Sequence, residues 1–146
     1  MTEKGALAGR VAIVTGGARN IGRAIVLALA EQGASVVVNA RADAAAAESV
    51  AAEAEAAGGR GLAYVADVTD PEAVDAMARA AVDTFGRIDF LVSNAALRRQ
   101  TPFLDMPYAE WREILSVALD GAFILSKACV PHMIAAGGGS IVTIGG

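Results

Sequence analysis

The sequence is poor in the residues that build disulfide scaffolds, metal sites and aromatic surfaces. It has one cysteine, one histidine and 5% aromatic residues in a chain of 146. A lone thiol, Cys129, cannot close an internal disulfide, so a packed core must hold the fold. Its neighbours Ala128 and Val130 mark it as buried, which fits a reducing cytoplasm. No metal site is expected. No uninterrupted apolar run reaches the ~20 residues of a membrane span. The stretch Met1–Arg10 lacks the apolar segment of a secretory signal. Basic runs and basic-aromatic stripes are missing too, and the net charge is −4, which argues against nucleic acid as a partner. Arg98 and Arg99 form the one adjacent basic pair. They read as a solvated loop tip, or else as a contact to an anionic substrate.

Apolar side chains are abundant, at 55%, which excludes a disordered chain and suffices for one domain. They alternate between two patterns. Val11–Thr15, Ser35–Asn39, Leu62–Ala66, Ile88–Ser93 and Ser140–Ile144 are short and β-branched, the mark of strands covered on both faces. Between them lie helical stretches. Asn20–Gln32 puts Ile21, Ile25 and Leu29 on one face, and Pro71–Phe85 puts Val74, Met77, Ala81 and Phe85 on another. Asp70 is the expected N-cap of the second, with Pro71 at its first position. Ala42–Ala57, rich in Ala and Glu, reads as a surface helix. A last long helix is expected from Pro107 towards Ala136, with a kink or break at Pro131. The sum is an α/β chain with a doubly wound, Rossmann-type parallel sheet. Ligands of such sheets bind at the carboxyl ends of the strands, where the strand order reverses.

The loop leaving the first strand reads Thr15-Gly16-Gly17-Ala18-Arg19-Asn20-Ile21-Gly22. Glycines there let the backbone turn tightly and approach a phosphate. The helix that follows aims free N–H groups and its positive end at that anion. Position in the fold gives the motif its weight: it follows a first strand and opens an amphipathic helix. The second strand ends Asn39-Ala40-Arg41, so Ala40 stands where an NAD site usually carries an acid for the ribose 2′-hydroxyl. Arg41 and Arg19 would instead attract a 2′-phosphate. NADP(H) is therefore the expected cofactor, NAD(H) the alternative, and Asp43 the residue that could reverse the choice.

The spacing Thr-Gly-x3-Asn-x-Gly resembles the Thr-Gly-x3-Gly-x-Gly motif of the short-chain dehydrogenases/reductases, with Asn20 at the middle glycine. The resemblance runs the length of the chain. Within the family it is to the 3-oxoacyl-carrier-protein reductases and similar bacterial reductases. It implies that Asp67-Val68 meets the adenine, an N-cap role for Asp67 being the alternative. It implies that Asn94-Ala95-Ala96 braces the sheet and lines the ribose. The expected cofactor residues are Gly16, Ala18, Arg19, Asn20, Ile21, Gly22, Arg41, Asp67, Val68, Asn94, Ala95, Ala96 and Val117.

The same resemblance exposes gaps. Ala118 occupies the position of the family's helix asparagine, and Gly146 that of its serine. No Tyr-x3-Lys is present: Tyr64 and Tyr108 are followed four residues on by Val68 and Arg112. No catalytic residue is therefore expected within the chain, and His132 is at most a minor candidate. Ending at Gly146 would also leave Ile141–Ile144 as an open apolar edge. The expectation is a single dinucleotide-binding domain over residues 1–146, the front part of a longer protein. That parent would be an NADP(H)-dependent oxidoreductase, moving hydride between nicotinamide and a small-molecule carbonyl or alcohol. A homo-oligomer, dimer or tetramer, is the family-like assembly. The alternative is a catalytically inactive nucleotide-binding protein or sensor of the same fold.

Overall fold

The computed structural model describes residues 5–145. In chain order the main elements are β1 (Val11–Val14), α1 (Asn20–Glu31), β2 (Ser35–Ala40), α2 (Ala44–Ala56), β3 (Arg60–Val65), α3 (Pro71–Phe85), β4 (Phe90–Ser93), α4 (Tyr108–Leu115), α5 (Gly121–Ala135) and β5 (Ser140–Thr143). The strands form one sheet in the order β3-β2-β1-β4-β5. Every neighbouring pair is parallel. The expected doubly wound topology is therefore present.

Strand alternation divides the core. Ala12, Val14, Val36 and Val38 point to one face, where they pack with Val26, Ala30, Ala47 and Val50 of α1 and α2. Ile13, Val37 and Leu91 point to the other, against Val74, Met77, Ala81, Leu125, Cys129 and Met133 of α3 and α5. The central strands are covered on both sides, which is why β1 and β2 read as nearly continuous apolar runs. The two outer strands differ. β3 is only partly buried, and β5 leaves Ile141 and Val142 42% and 50% exposed.

Several boundaries move from their expected places for local reasons. β3 starts at Arg60 rather than Leu62, because Gly58–Gly59 makes the turn and Arg60 already pairs with Ser35. β4 spans Phe90–Ser93 rather than starting at Ile88, with the Asp89 backbone already bonded to Val11 and Ser140 just before it. A short 3-10 turn, Phe103–Asp105, precedes α4 and gave no signal in the sequence. The long helix runs straight through Pro131. Its irregularity lies earlier, in a π turn over Ser116–Asp120 between α4 and α5. An extra residue widens that turn, and such turns often lie beside functional sites. Close packing fixes its end: a Cβ on Gly121 would lie 2.9 Å from Val68 Cγ2.

The combined helix, Tyr108–Ala135, is long and apolar enough to cross a membrane by length and composition. Asp120, Lys127 and His132 break its apolar run, which is why no span is read from the sequence. In the fold its Leu125, Cys129 and Met133 are buried against α3 and the sheet.

Candidate dinucleotide cleft

At the carboxyl ends of β1, β2 and β4 lies a cleft of about 440 Å³. All the expected cofactor residues line it except Ala18. Ala18 instead packs against the α1–α2 core cluster, because the loop turns its Cβ inward. Asn39, Ala66, Leu97 and Arg98 line the cleft as well.

Three features shape the floor. Gly16 has φ +60°, and a Cβ there would lie 3.2 Å from both Ala95 Cα and Asn94 Nδ2. A Cβ on Gly22 would lie 1.9 Å from the Gly16 carbonyl oxygen, so α1 can reach the loop only with glycine at that position. Asn20 has φ 48°, the left-handed region that asparagine tolerates better than most residues. A non-glycine at this point of the motif is thereby explained.

Buried polar groups hold the loops together. The Thr15 hydroxyl accepts from the Asn94 and Ala95 backbone N–H groups at 3.0 and 3.1 Å. The Asn94 side-chain amide donates to the Thr15 and Gly16 carbonyls at 3.2 Å each. Asn94 thus braces the β1 and β4 exits from the rim of the cleft. Asn39, fully inside the sheet, donates to the Tyr64 and Ala66 carbonyls, while its oxygen accepts from the Gly16 N–H. Its role was missed in the sequence, although a lone asparagine in a Val-rich strand is the signal that marks it.

The N-terminus of α1 differs from those of α2 and α3. Asp43 caps α2 through Ala46 N–H, and Asp70 caps α3 through Glu72 and Ala73 N–H. No side chain caps α1, and no acid lies in its first turn. Its first turn, at Asn20–Gly22, forms one wall of the cleft.

Four charged groups lie by the β2 end of the cleft. Arg41 pairs with Asp67 at 3.3 Å, and Arg19 with Asp43. The Thr69 backbone N–H and hydroxyl, aided by Arg41 and opposed by burial, hold the Asp67 carboxyl below its usual range. Asp43 is lowered by its bond from Ala46 N–H and then by Arg19. Ala40 is buried and supplies no acid. Across the opening, Arg98 lines the cleft, whereas Arg99 is tied to Glu113 at 2.7 Å. The adjacent basic pair is thus split between two environments.

The remaining chemical candidates lie elsewhere. Val117, in the π turn, lines the cleft, whereas Ala118 beside it is exposed. His132 lines a separate hollow with Val82, Gly86 and Arg87. Tyr64 sits on β3, Tyr108 is exposed at the start of α4, and Lys127 lies over the Phe123 ring. Gly146 lies outside the described residues. Among the described residues no cluster of metal-ligating side chains occurs.

Residues 10–146 match the family described as short chain dehydrogenase. The chain belongs to the short-chain dehydrogenase family. A 3-oxoacyl-[acyl-carrier-protein] reductase of Synechocystis sp. is 40% identical over 95% of this chain and 56% of its own length. An L-rhamnose 1-dehydrogenase (NAD(P)(+)) of Sphingomonas sp. is 39% identical over 94% of this chain and 55% of its own. A 7α-hydroxysteroid dehydrogenase solved with NADH and a 7-oxo bile acid superposes with a TM-score of 0.88 at 38% identity, covering 94% of this chain and 53% of that one. The chain therefore spans about half the length of the curated relatives it matches.

Proposed function

We propose that the cleft binds NADP(H), as the nucleotide-binding part of an oxidoreductase that exchanges hydride between nicotinamide and a small carbonyl or alcohol. The single observation that carries this reading is the convergence of the uncapped α1 terminus, the glycine cradle and two arginines on one cleft. Gly16, Asn20, Ile21 and Gly22 would take the pyrophosphate, where backbone N–H groups and the helix dipole favour an anion. Asp67 and Val68 would meet the adenine, and Asn94, Ala95 and Ala96 the adenosine ribose. Val117 would close the far side.

Choice of NADP(H) rests on Arg41 and Arg19 beside the β2 end, together with the missing acid at Ala40. A guanidinium pairs well with phosphate oxygens and gains nothing comparable from a ribose hydroxyl. Ala118 is at one family catalytic position and Gly146 at another, so hydride transfer is assigned to the whole protein and binding to these residues. The cofactor, when bound, supplies the hydride; the chain holds and orients it.

A cytoplasmic setting is part of the same reading. Cys129 supports it as a buried thiol that burial pushes up to about 12, far from thiolate chemistry. Assembly with further copies is supported by the exposed Phe103, Tyr108, Trp111 and Phe123 on and before the α4–α5 helix.

The test is Arg41→Asp. NADPH affinity is expected to fall by more than about tenfold while NADH affinity holds or rises. Equal losses for both cofactors would remove Arg41 from the 2′-phosphate.

A further inference from the structure

The two arginines beside the β2 end of the cleft are each held by an aspartate of the same chain. Arg19 and Arg41 carry two positive charges; Asp43 and Asp67 return two negative ones. An incoming 2′-phosphate at the β2 end finds both of these guanidiniums already paired. It must exchange places with a carboxylate or share an arginine with it.

The two aspartates are not equally committed. Asp67 bonds Thr69 through both its backbone N–H and its hydroxyl, at 2.9 and 2.7 Å, and Arg41 is a lesser contributor to its ionisation. Asp43 needs only one oxygen for its structural task, since Oδ1 accepts from Ala46 N–H at 3.0 Å. The other oxygen, Oδ2, is given over to Arg19. Asp43 does not line the cleft itself, so its influence on a ligand runs through the arginine it holds.

We propose that Asp43 is a specificity-determining residue: it competes with the cofactor's 2′-phosphate for the Arg19 guanidinium and so limits the preference for NADP(H). This rests on the reading that the cleft takes a 2′-phosphate. Asp43 is a positioning residue, acting on Arg19 and not on the nicotinamide.

Asp43→Asn separates the two duties of the side chain. Asparagine caps a helix as well as aspartate does, so α2 keeps its start, while the counter-charge is lost. In titrations of the full chain, the variant is expected to bind NADPH about threefold more tightly than the wild type, the scale of one exposed ion pair. NADH affinity and the melting temperature should stay unchanged. The gain should shrink in high salt and vanish when Arg19→Gln is added, which shows that it passes through Arg19. Unchanged or weaker NADPH binding in a variant that still folds would overturn the proposal, as would a gain that survives Arg19→Gln. Adenosine 2′,5′-bisphosphate and adenosine 5′-monophosphate, which differ only in the 2′-phosphate, distinguish this from failure of the underlying reading. If wild-type protein binds the first no more tightly than the second, no 2′-phosphate site exists and both ideas fall. If it does, and Asp43→Asn changes nothing, only the role of Asp43 is lost.

Discussion

Gly22 carries the tightest geometric constraint in the cleft. Its hypothetical Cβ falls 1.9 Å from the Gly16 carbonyl oxygen and 2.7 Å from Asn94 Nδ2, and neither group is free to yield. The carbonyl belongs to the backbone of the Gly16 turn, and the amide is already spent on Thr15 and Gly16. Gly22→Ala should therefore push α1 off the loop, cost about 2–3 kcal/mol of stability and abolish dinucleotide binding. Asn20 makes the opposite prediction. Its left-handed backbone suits glycine better still, so Asn20→Gly should keep the fold and bind cofactor at least as well, whereas Asn20→Val should lose about 1–2 kcal/mol. Thermal melts and cofactor titrations on the three variants check both statements. A Gly22→Ala protein with wild-type melting would mean that α1 does not pack tightly on the Gly16 carbonyl. These glycine positions were legible in the sequence, because the motif names them. Asn39 stands out as a lone asparagine in a Val-rich strand, but the partners that its amide finds on and after β3 are not local and could not be read there.

Among the elements, the starts of the strands are held by a single carboxylate on the side away from the cleft. Asp89 is 2% exposed and accepts from Val11 N–H at 2.9 Å, from Arg87 at 2.9 and 2.7 Å and from Arg10 at 2.9 Å. Its own backbone bonds Val11 and Ser140, so β1, β4 and β5 meet there. Burial alone would raise its pKa, but Arg87, Val11 N–H and Arg10 together outweigh it and hold the carboxyl below its ordinary 3.8. A depressed native value means that this stabilisation is present above the unfolded pKa and is lost as pH falls through the folded one. Chemical denaturation between pH 6 and acid should show stability declining from about pH 4 downward. Asp89→Asn should be less stable at neutral pH by about 2 kcal/mol and should show a smaller decline. An acid profile identical to wild type would dismiss Asp89 as a contributor. This network lies outside what the sequence could tell, for its members are up to 79 positions apart. The helices were easier: the Asp70 cap and Pro71 start of α3 are local chemistry, and they stand where expected. The kink or break expected at Pro131 rests on proline as a strong local signal; the irregularity is instead a π turn over Ser116–Asp120, beside the close packing of Gly121 on Val68.

On the scale of the whole molecule, the fold explains where chemistry can occur. The parallel sheet has α1 and α2 on one face and α3 and α5 on the other, its strand order reverses between β1 and β4, and the cleft opens at that switch. Alternation of apolar runs made this topology readable in the sequence, and the glycine loop located the cleft. The outer strands were less so, because exposure at β3 and β5 depends on what lies beside them rather than on their composition. The central claim is that this cleft, and no other surface, receives the dinucleotide. The most direct measurement is a nitrogen-edited NMR titration of the labelled chain with NADPH, followed residue by residue. Saturable shifts are expected in the amides of Gly16–Gly22, Arg41, Asp67, Val68 and Asn94–Ala96, with smaller effects around Arg41 when NADH replaces NADPH. An unchanged spectrum, or shifts gathered instead at the Asp89 end of the sheet, would contradict it.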